Sequence, residues 1–269
     1  MNFNAYKMDG LGNDFLIIDN RSQNISLSDT QIKKLADRKN NIGFDQVIYI
    51  HKGHEFPEVK YFNSDGKPAS ECGNGNRCVA KILMNEKGND KVEFTVGNKT
   101  HIAKKNDQKL ISVDMGKATY DLKKIPVSNE VKNNPIKLDI LNHNLDGHLV
   151  NVGNPHIIFF KKIENEDLVK LGPKIENHHF FPDRINVTFA EVLDKKNIRV
   201  NVWERGAGQT LACGTAACAV AHIAIDQKLS DNPVNIHFKM GALTIQLDQS
   251  KNIIMTGPVS EQIEISVTI

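Results

Sequence analysis

Apolar positions in this chain come in short blocks. Phe15-Leu16-Ile17-Ile18-Asp19, Val92-Glu93-Phe94-Thr95-Val96, Ile157-Ile158-Phe159-Phe160, Asn197-Ile198-Arg199-Val200-Asn201-Val202 and Leu243-Thr244-Ile245-Gln246-Leu247 are continuous or alternating runs. Runs of this length, set off by turn residues, predict strands. Turn signals stand at Ser64-Asp65-Gly66, Lys87-Gly88-Asn89-Asp90 and Gly257-Pro258. Helical spacing is rarer. Ser28-Asp29 are cap-type residues followed by Ile32, Leu35 and Ala36 on one face, and Val79, Ile82 and Leu83 form a second stripe after Cys72. From Ala216 to Ile225 the chain is apolar almost all the way round, which predicts a helix enclosed by protein. Its small side chains suit the inside of a curled sheet.

Two of these helices begin alike, at Glu71-Cys72-Gly73-Asn74-Gly75 and Ala212-Cys213-Gly214-Thr215-Ala216, with an offset of 141 between the cysteines (213 minus 72). Asn13 and Asn154 repeat at the same offset, as do Asn63 and Glu204. A constant offset over half the chain predicts one half-domain written twice, each half with several strands around a central helix. The expected halves are 1–117, completed by a C-terminal strand near 259–269, and 118–258. The divide falls between Gly116 and Pro126. Residues 128–149 are polar and Asn-rich and give no periodic pattern.

Composition narrows the classes of function. The chain has 269 residues, 40% of them hydrophobic and 25% charged, with a net charge of +2. That length can bury a sizeable core, and so weak a basic balance gives no expectation of a nucleic-acid groove or an anionic membrane partner. No run reaches the length of a membrane span, and the first residues lack the apolar core of a secretory signal, so a cytoplasmic location is expected. In a reducing compartment the four cysteines are expected as thiols. Their spacing argues against a metal site, since neither Cys72/Cys78 nor Cys213/Cys218 matches a C-x2-C knuckle. Six positions along a helix is about 240° around its axis, which turns Cys78 away from Cys72 and makes it a small core residue. Cys218 takes the same role.

Candidate chemistry centres on Cys72 and Cys213. A thiol titrates near about 8.5 when unperturbed, and a helix N-terminus with nearby positive charge brings it to about 3.5–7.5. Glycines at 73, 75 and 214 let an anion approach the first-turn amides. Two thiols can transfer a proton off one face of a carbon stereocentre and onto the other. Around them stand polar turns carrying Asn13, Gln46, Asn63, Asn154, Asn186, Glu204 and Arg205. Singly, each is an ordinary turn or cap. Together they fit a small zwitterion with two charged ends, Arg205 taking a carboxylate and Glu204 an ammonium.

The segments Gly10-Leu11-Gly12-Asn13-Asp14-Phe15, Glu71-Cys72-Gly73-Asn74-Gly75-Asn76-Arg77-Cys78, Gly153-Asn154-Pro155-His156 and the run from Trp203 to Thr215 resemble the diaminopimelate epimerase family in order and spacing. The resemblance implies an epimerase that needs no cofactor and interconverts LL- and meso-2,6-diaminopimelate on the route to lysine and peptidoglycan. It implies an α/β (α+β) fold of two pseudo-symmetric domains, each a barrel-like, mainly antiparallel sheet around a central helix, with the site in the cleft between them. By motif match Cys72 and Cys213 are the acid/base pair. Asn13, Gln46, Asn63, Asn154, Asn186, Glu204 and Arg205 contact substrate. The amides around Gly73-Asn74 and Gly214-Thr215 hold a carboxylate, and His156 and Glu204 influence the thiols. The implied partner is a small-molecule substrate, with no metal, nucleic acid or membrane, and a homodimer stays open. Gln209, Ala216 and Asn76 depart from the usual pattern, where Glu, Gly and an apolar or small residue are commoner. The competing expectations are a proline- or histidine-type racemase and, from another class, a thiol redox protein.

Overall fold

The computed structural model describes residues 1–69 and 71–269. In chain order its elements are β1 (Asn2–Gly10), β2 (Asn13–Asp19), α1 (Asp29–Ala36), β3 (Gln46–His51), β4 (Glu58–Asn63), β5 (Pro68–Ala69), α2 (Gly73–Lys87), β6 (Lys91–Val96), β7 (Lys99–Lys105), β8 (Ile111–Asp114) and β9 (Ile136–Ile140). There follow β10 (His143–Asn151), β11 (Pro155–Phe159), α3 (Asn165–Glu176), β12 (Asn186–Asp194), β13 (Asn197–Glu204), β14 (Gly208–Gln209), α4 (Gly214–Asp226), β15 (Val234–Phe238), β16 (Gly241–Leu247), β17 (Ile253–Gly257) and β18 (Ile263–Thr268). The chain divides into two compact units, Met1–Asp114 with Thr256–Ile269, and Met115–Met255.

In the first unit β1 pairs antiparallel with β18 and β2, β2 runs parallel to β3 across α1, and β3 returns antiparallel to β4. A second crossover through α2 sets β4 parallel to β6, and β6, β7 and β8 finish as an antiparallel meander. The second unit repeats this plan. β10 pairs antiparallel with β11, β11 parallel with β12 across α3, and β12 antiparallel with β13. A crossover through α4 then sets β13 parallel to β15, which turns back into β16.

Each sheet curls around one helix. Within its unit α2 packs against β1 and β2 and also against β6, β7 and β8. In the other unit α4 packs against β10, β11 and β12 and against β15 and β16. An enclosed helix has little solvent-facing surface, and α4 is accordingly buried from Gly214 to Ala224. The outer faces of the sheets carry the other two helices. Ile32 and Leu35 of α1 cover Leu16, Ile18, Val47 and Tyr49, while Leu168, Leu171 and Ile175 of α3 cover Ile157, Phe159, Val187 and Phe189. Strands covered on both faces lose their polar alternation. That is why 15–18 and 157–159 read as unbroken apolar runs.

Local signals set the helix ends. Ser28 caps α1 in a reciprocal box, its Oγ accepting from Gln31 N at 3.3 Å while Gln31 Oε1 accepts from Ser28 N at 2.8 Å. Gly88 ends α2 in the left-handed conformation, at φ 59°. The segment without a pattern contains β9 and the start of β10, where Ile136, Leu138, Ile140 and Leu145 point inward between exposed polar residues. Helix α3 also left no clear sequence signal, because Gly172 and Pro173 interrupt it. Among the described residues no helix is long and apolar enough to cross a membrane.

The enclosure of α4 has a measurable consequence. Ala219 is fully buried. Replacing it with leucine forces three extra carbons into a filled interior and should destabilise the protein by about 1–3 kcal/mol. A urea melt should show a lower midpoint at an unchanged slope.

Candidate functional site

Cys72 is the N-cap of α2 and Cys213 the N-cap of α4. Neither side chain caps its helix, and neither first turn holds an acidic residue. The first amides, of Gly73-Asn74 and Gly214-Thr215, thus remain available to an anion. The first internal bonds run from Asn76 N to Cys72 O at 2.8 Å and from Ala217 N to Cys213 O at 3.1 Å.

In the first unit the Cys72 thiol donates to Asn13 Oδ1 at 3.3 Å, and Asn74 Nδ2 donates to the same oxygen at 3.4 Å. Asn13 in turn donates to Asp45 Oδ2 at 2.8 Å. Asp45 is tied by Arg38, which also bridges Asp14, and Lys7 completes this group through Asp14. Burial alone would raise the Asp14 carboxyl; Arg38 and Lys7 outweigh it and hold it below its ordinary value. Gln46 and Asn63 face each other across β3 and β4, joined by Gln46 Nε2 to Asn63 Oδ1 at 3.1 Å. Gly75 lets α2 come close to the sheet, since a Cβ there would lie 2.8 Å from Ile48 Cδ1 and from Tyr61 Cε1.

The second unit carries the sister arrangement. Asn154 Nδ2 donates to Thr215 Oγ1 at 3.3 Å, and that hydroxyl lies 3.4 Å from Cys213 Sγ. Thr215 thus stands where the first unit has Asn74. Asn154 Oδ1 accepts from His156 Nε2 at 2.9 Å, so the proton of a neutral ring resides on Nε2. His156 is fully buried and occupies the position of Phe15 in the other unit. Its Nδ1 has no partner. Asn186 donates to Pro155 O at 2.9 Å and accepts from Arg205 N at 2.9 Å, which anchors the turn after β13.

Electrostatics separate the two groups. Burial raises the Cys213 thiol well above its ordinary range; Glu204, hydrogen-bonded to it, raises it further, against weaker lowering by Thr215 and the Ala216 amide. Burial and then the Arg205 charge lower His156 to about 3. Cys78 is pushed up strongly by burial, as befits an inert core thiol.

This arrangement has close relatives. Residues 5–120 and 148–261 match the profile of the family described as diaminopimelate epimerase. The chain is 45% identical over 267 residues to the diaminopimelate epimerase of Pelagibacter ubique (strain HTCC1062), covering 97% of each chain. The chain belongs to the diaminopimelate epimerase family. Solved structures extend the fold beyond the family. A phenazine biosynthesis protein of the PhzF family from Enterococcus faecalis superposes with a TM-score of 0.69 at 12% identity, over 100% of both chains. A hydroxyproline epimerase from Agrobacterium vitis does so with 0.68 at 11% identity, over 99% of this chain and 92% of the other. At such identities the likeness is one of fold.

Every residue expected at the site falls into one of two groups. Asn13, Gln46, Asn63, Cys72, Gly73 and Asn74 lie in the first unit; Asn154, His156, Asn186, Glu204, Arg205, Cys213, Gly214 and Thr215 lie in the second. Sequence reading passed over several supporting residues. Glu71, just before Cys72, accepts from the fully buried His101 at 2.6 Å and from Lys99 at 3.1 Å. Burial raises its carboxyl, but the hydrogen bonds and charges of His101 and Lys99 prevail and lower it. Asn76 accepts from the buried Tyr61 hydroxyl at 2.5 Å. Gln209 donates to Asn165 at 3.2 Å, and Ala216 is fully buried.

The low His156 value predicts a stability effect of definite sign. Between an unfolded value near 6.5 and a folded value of about 3 the unfolded chain binds the extra proton. Stability therefore falls as pH drops through that window, by up to about 1.4 kcal/mol per pH unit from this ring alone. His156→Gln should flatten urea-melt free energies between pH 6.5 and 4 relative to wild type, and leave their dependence above pH 7 unchanged.

Proposed function

We propose that this diaminopimelate epimerase family member inverts one α-carbon of 2,6-diaminopimelate with Cys72 and Cys213 as its two acid/base groups and without pyridoxal phosphate. The observation that carries the reading is the duplicated corner: a thiol at a helix N-terminus, beside an Asn amide, in each unit. Inversion by a single fixed base would return the proton to the face it left. Two thiols, one taking the proton from one face while the other supplies a proton to the opposite face, invert the centre and exchange their own protonation states. Their titration belongs to the pair.

The cycle needs one thiolate. Burial and Glu204, hydrogen-bonded to the Cys213 thiol, hold that thiol in its protonated form, so Cys213 is poised as the proton donor. On the other thiol, Asn13 accepts from Cys72 and keeps the S–H directed. The first-turn amides of Gly73-Asn74 and of Gly214-Thr215 are the donors available to a substrate carboxylate. Each helix dipole contributes only about 0.3–1 kcal/mol when exposed and up to about 2 when partly buried, so directed hydrogen bonds in a water-poor site must supply more. The unreactive end is recognised by unequal groups, Arg205 for its carboxylate and Glu204 with the amides of Asn13, Gln46, Asn63, Asn154 and Asn186 for the ammonium groups. A second charged end favours diaminopimelate over proline or another monocarboxylic amino acid. Reactive thiols of this kind suit the reducing cytoplasm, where lysine and peptidoglycan precursors would be made.

Incubation with LL-diaminopimelate in deuterated water, with no cofactor added, should place one deuterium at one α-carbon of the meso product. Cys72→Ala and Cys213→Ala should each lower turnover by about 10²–10⁴ or more, while urea melts stay close to wild type. Near-normal turnover by either variant would refute the two-thiol assignment.

A further inference from the structure

Helix α3 ends on a carboxylate that the chemistry above does not use. Glu176 is only 5% exposed. Its Oε2 accepts from Trp203 Nε1 at 2.7 Å, and its Oε1 accepts from Gly206 N at 2.8 Å and, more weakly, from Arg184 at 3.4 Å. Trp203 immediately precedes Glu204, and Gly206 immediately follows Arg205. The two short bonds therefore bracket the Glu204-Arg205 pair from a single carboxylate. The turn is closed by Ala207 N to Glu204 O at 3.1 Å, and Arg205 is held in addition through its amide by Asn186 and through its guanidinium by Asp183 O at 3.3 Å.

The helix is shaped to allow this. A Cβ on Gly172, one turn before Glu176, would lie 2.6 Å from Cγ and Cδ2 of Trp203. With no side chain there, the indole lies against α3 and its N–H reaches Glu176. Hydrogen bonds to a charged acceptor are worth more than neutral ones, and donors left without one when buried are costly. Glu176 thus fixes the turn without being one of the groups that meet substrate.

We propose that Glu176 is the positioning residue for recognition of the substrate's unreactive end. By clamping Trp203 and Gly206 it holds the Arg205 guanidinium where the second carboxylate of diaminopimelate binds. It acts on affinity for the two-ended substrate and far less on proton transfer at the reacting carbon. This rests on the function proposed above.

The test is steady-state epimerisation of diaminopimelate by the full chain, wild type against Glu176→Gln, which keeps size and one acceptor oxygen but removes the charge. KM should rise about tenfold or more while kcat falls no more than about threefold. A merely structural role would shrink the active fraction and lower kcat at unchanged KM, and that result would overturn the inference. Trp203 is the only tryptophan in the chain, so its emission reads the clamp directly. It should shift in Glu176→Gln, and an unshifted spectrum counts against the clamp. If Glu176→Gln does not fold, Trp203→Phe leaves the carboxylate and its Gly206 bond in place. It should raise KM about threefold or more with kcat within about threefold, and a KM within twofold of wild type overturns the proposal. Failure of the wild type to turn over diaminopimelate would sink the proposed function and this inference together. Turnover by the wild type with unchanged KM in the variants would sink this inference alone.

Discussion

The constraint behind the whole arrangement is a helix enclosed along its length by a curled sheet. Such a helix has no polar face to spend on solvent, and its first-turn amides are the backbone donors left unsatisfied. In both units the N-cap is a cysteine whose side chain makes no cap bond, where a serine or aspartate would cap. The sides of the two helices then solve the same problem differently. α4 is narrow and mostly apolar, with five alanines among its thirteen residues. α2 buries Asn74, Asn76 and Arg77, and pairing offsets part of the cost: Arg77 donates to Asn74 Oδ1 at 3.0 Å, and Asn76 Oδ1 accepts from Tyr61.

Because the two units share one plan, their differences can be located position by position. Phe15 becomes His156, Asn63 becomes Glu204, Tyr61 becomes Val202 and Asn74 becomes Thr215, each at the same offset. The second unit thereby gains a carboxylate and an imidazole at places where the first has an amide and a phenyl ring. Backbone topology decides where a group stands, and the residue placed there decides its proton affinity. The repeat is one of frame and not of chemistry.

Much of this was legible before the structure. The turn-bounded apolar blocks are strands, the all-apolar segment is the enclosed α4, and the constant offset follows from two crossovers repeated in the same order. What escaped did so for physical reasons. β9 and β10 carry inward residues only at alternate positions within Asn-rich turns, and α3 is stabilised by packing of Leu168, Leu171 and Ile175 despite an internal Gly-Pro pair. Pattern within a window cannot register either. Glu71 with His101, and Glu176 with Trp203 and Gly206, are pairings across 30, 27 and 30 positions, so no local motif announces them.

The groups around Cys213 also show why a buried histidine belongs there. A neutral His156 has its proton on Nε2, donates to the Asn154 carbonyl and so fixes which way that amide points. The amide nitrogen then faces Thr215, whose oxygen accepts from it and lies 3.4 Å from Cys213 Sγ. A phenylalanine, as at position 15, could fill the space but could not orient the amide. A charged imidazolium would leave a second N–H at Nδ1 buried with no acceptor, and burial together with the Arg205 charge opposes that state. The relay from His156 to Cys213 is thus built of neutral groups. Glu204 is the anion that acts on the thiol directly, and the turn that carries it is the one Glu176 clamps.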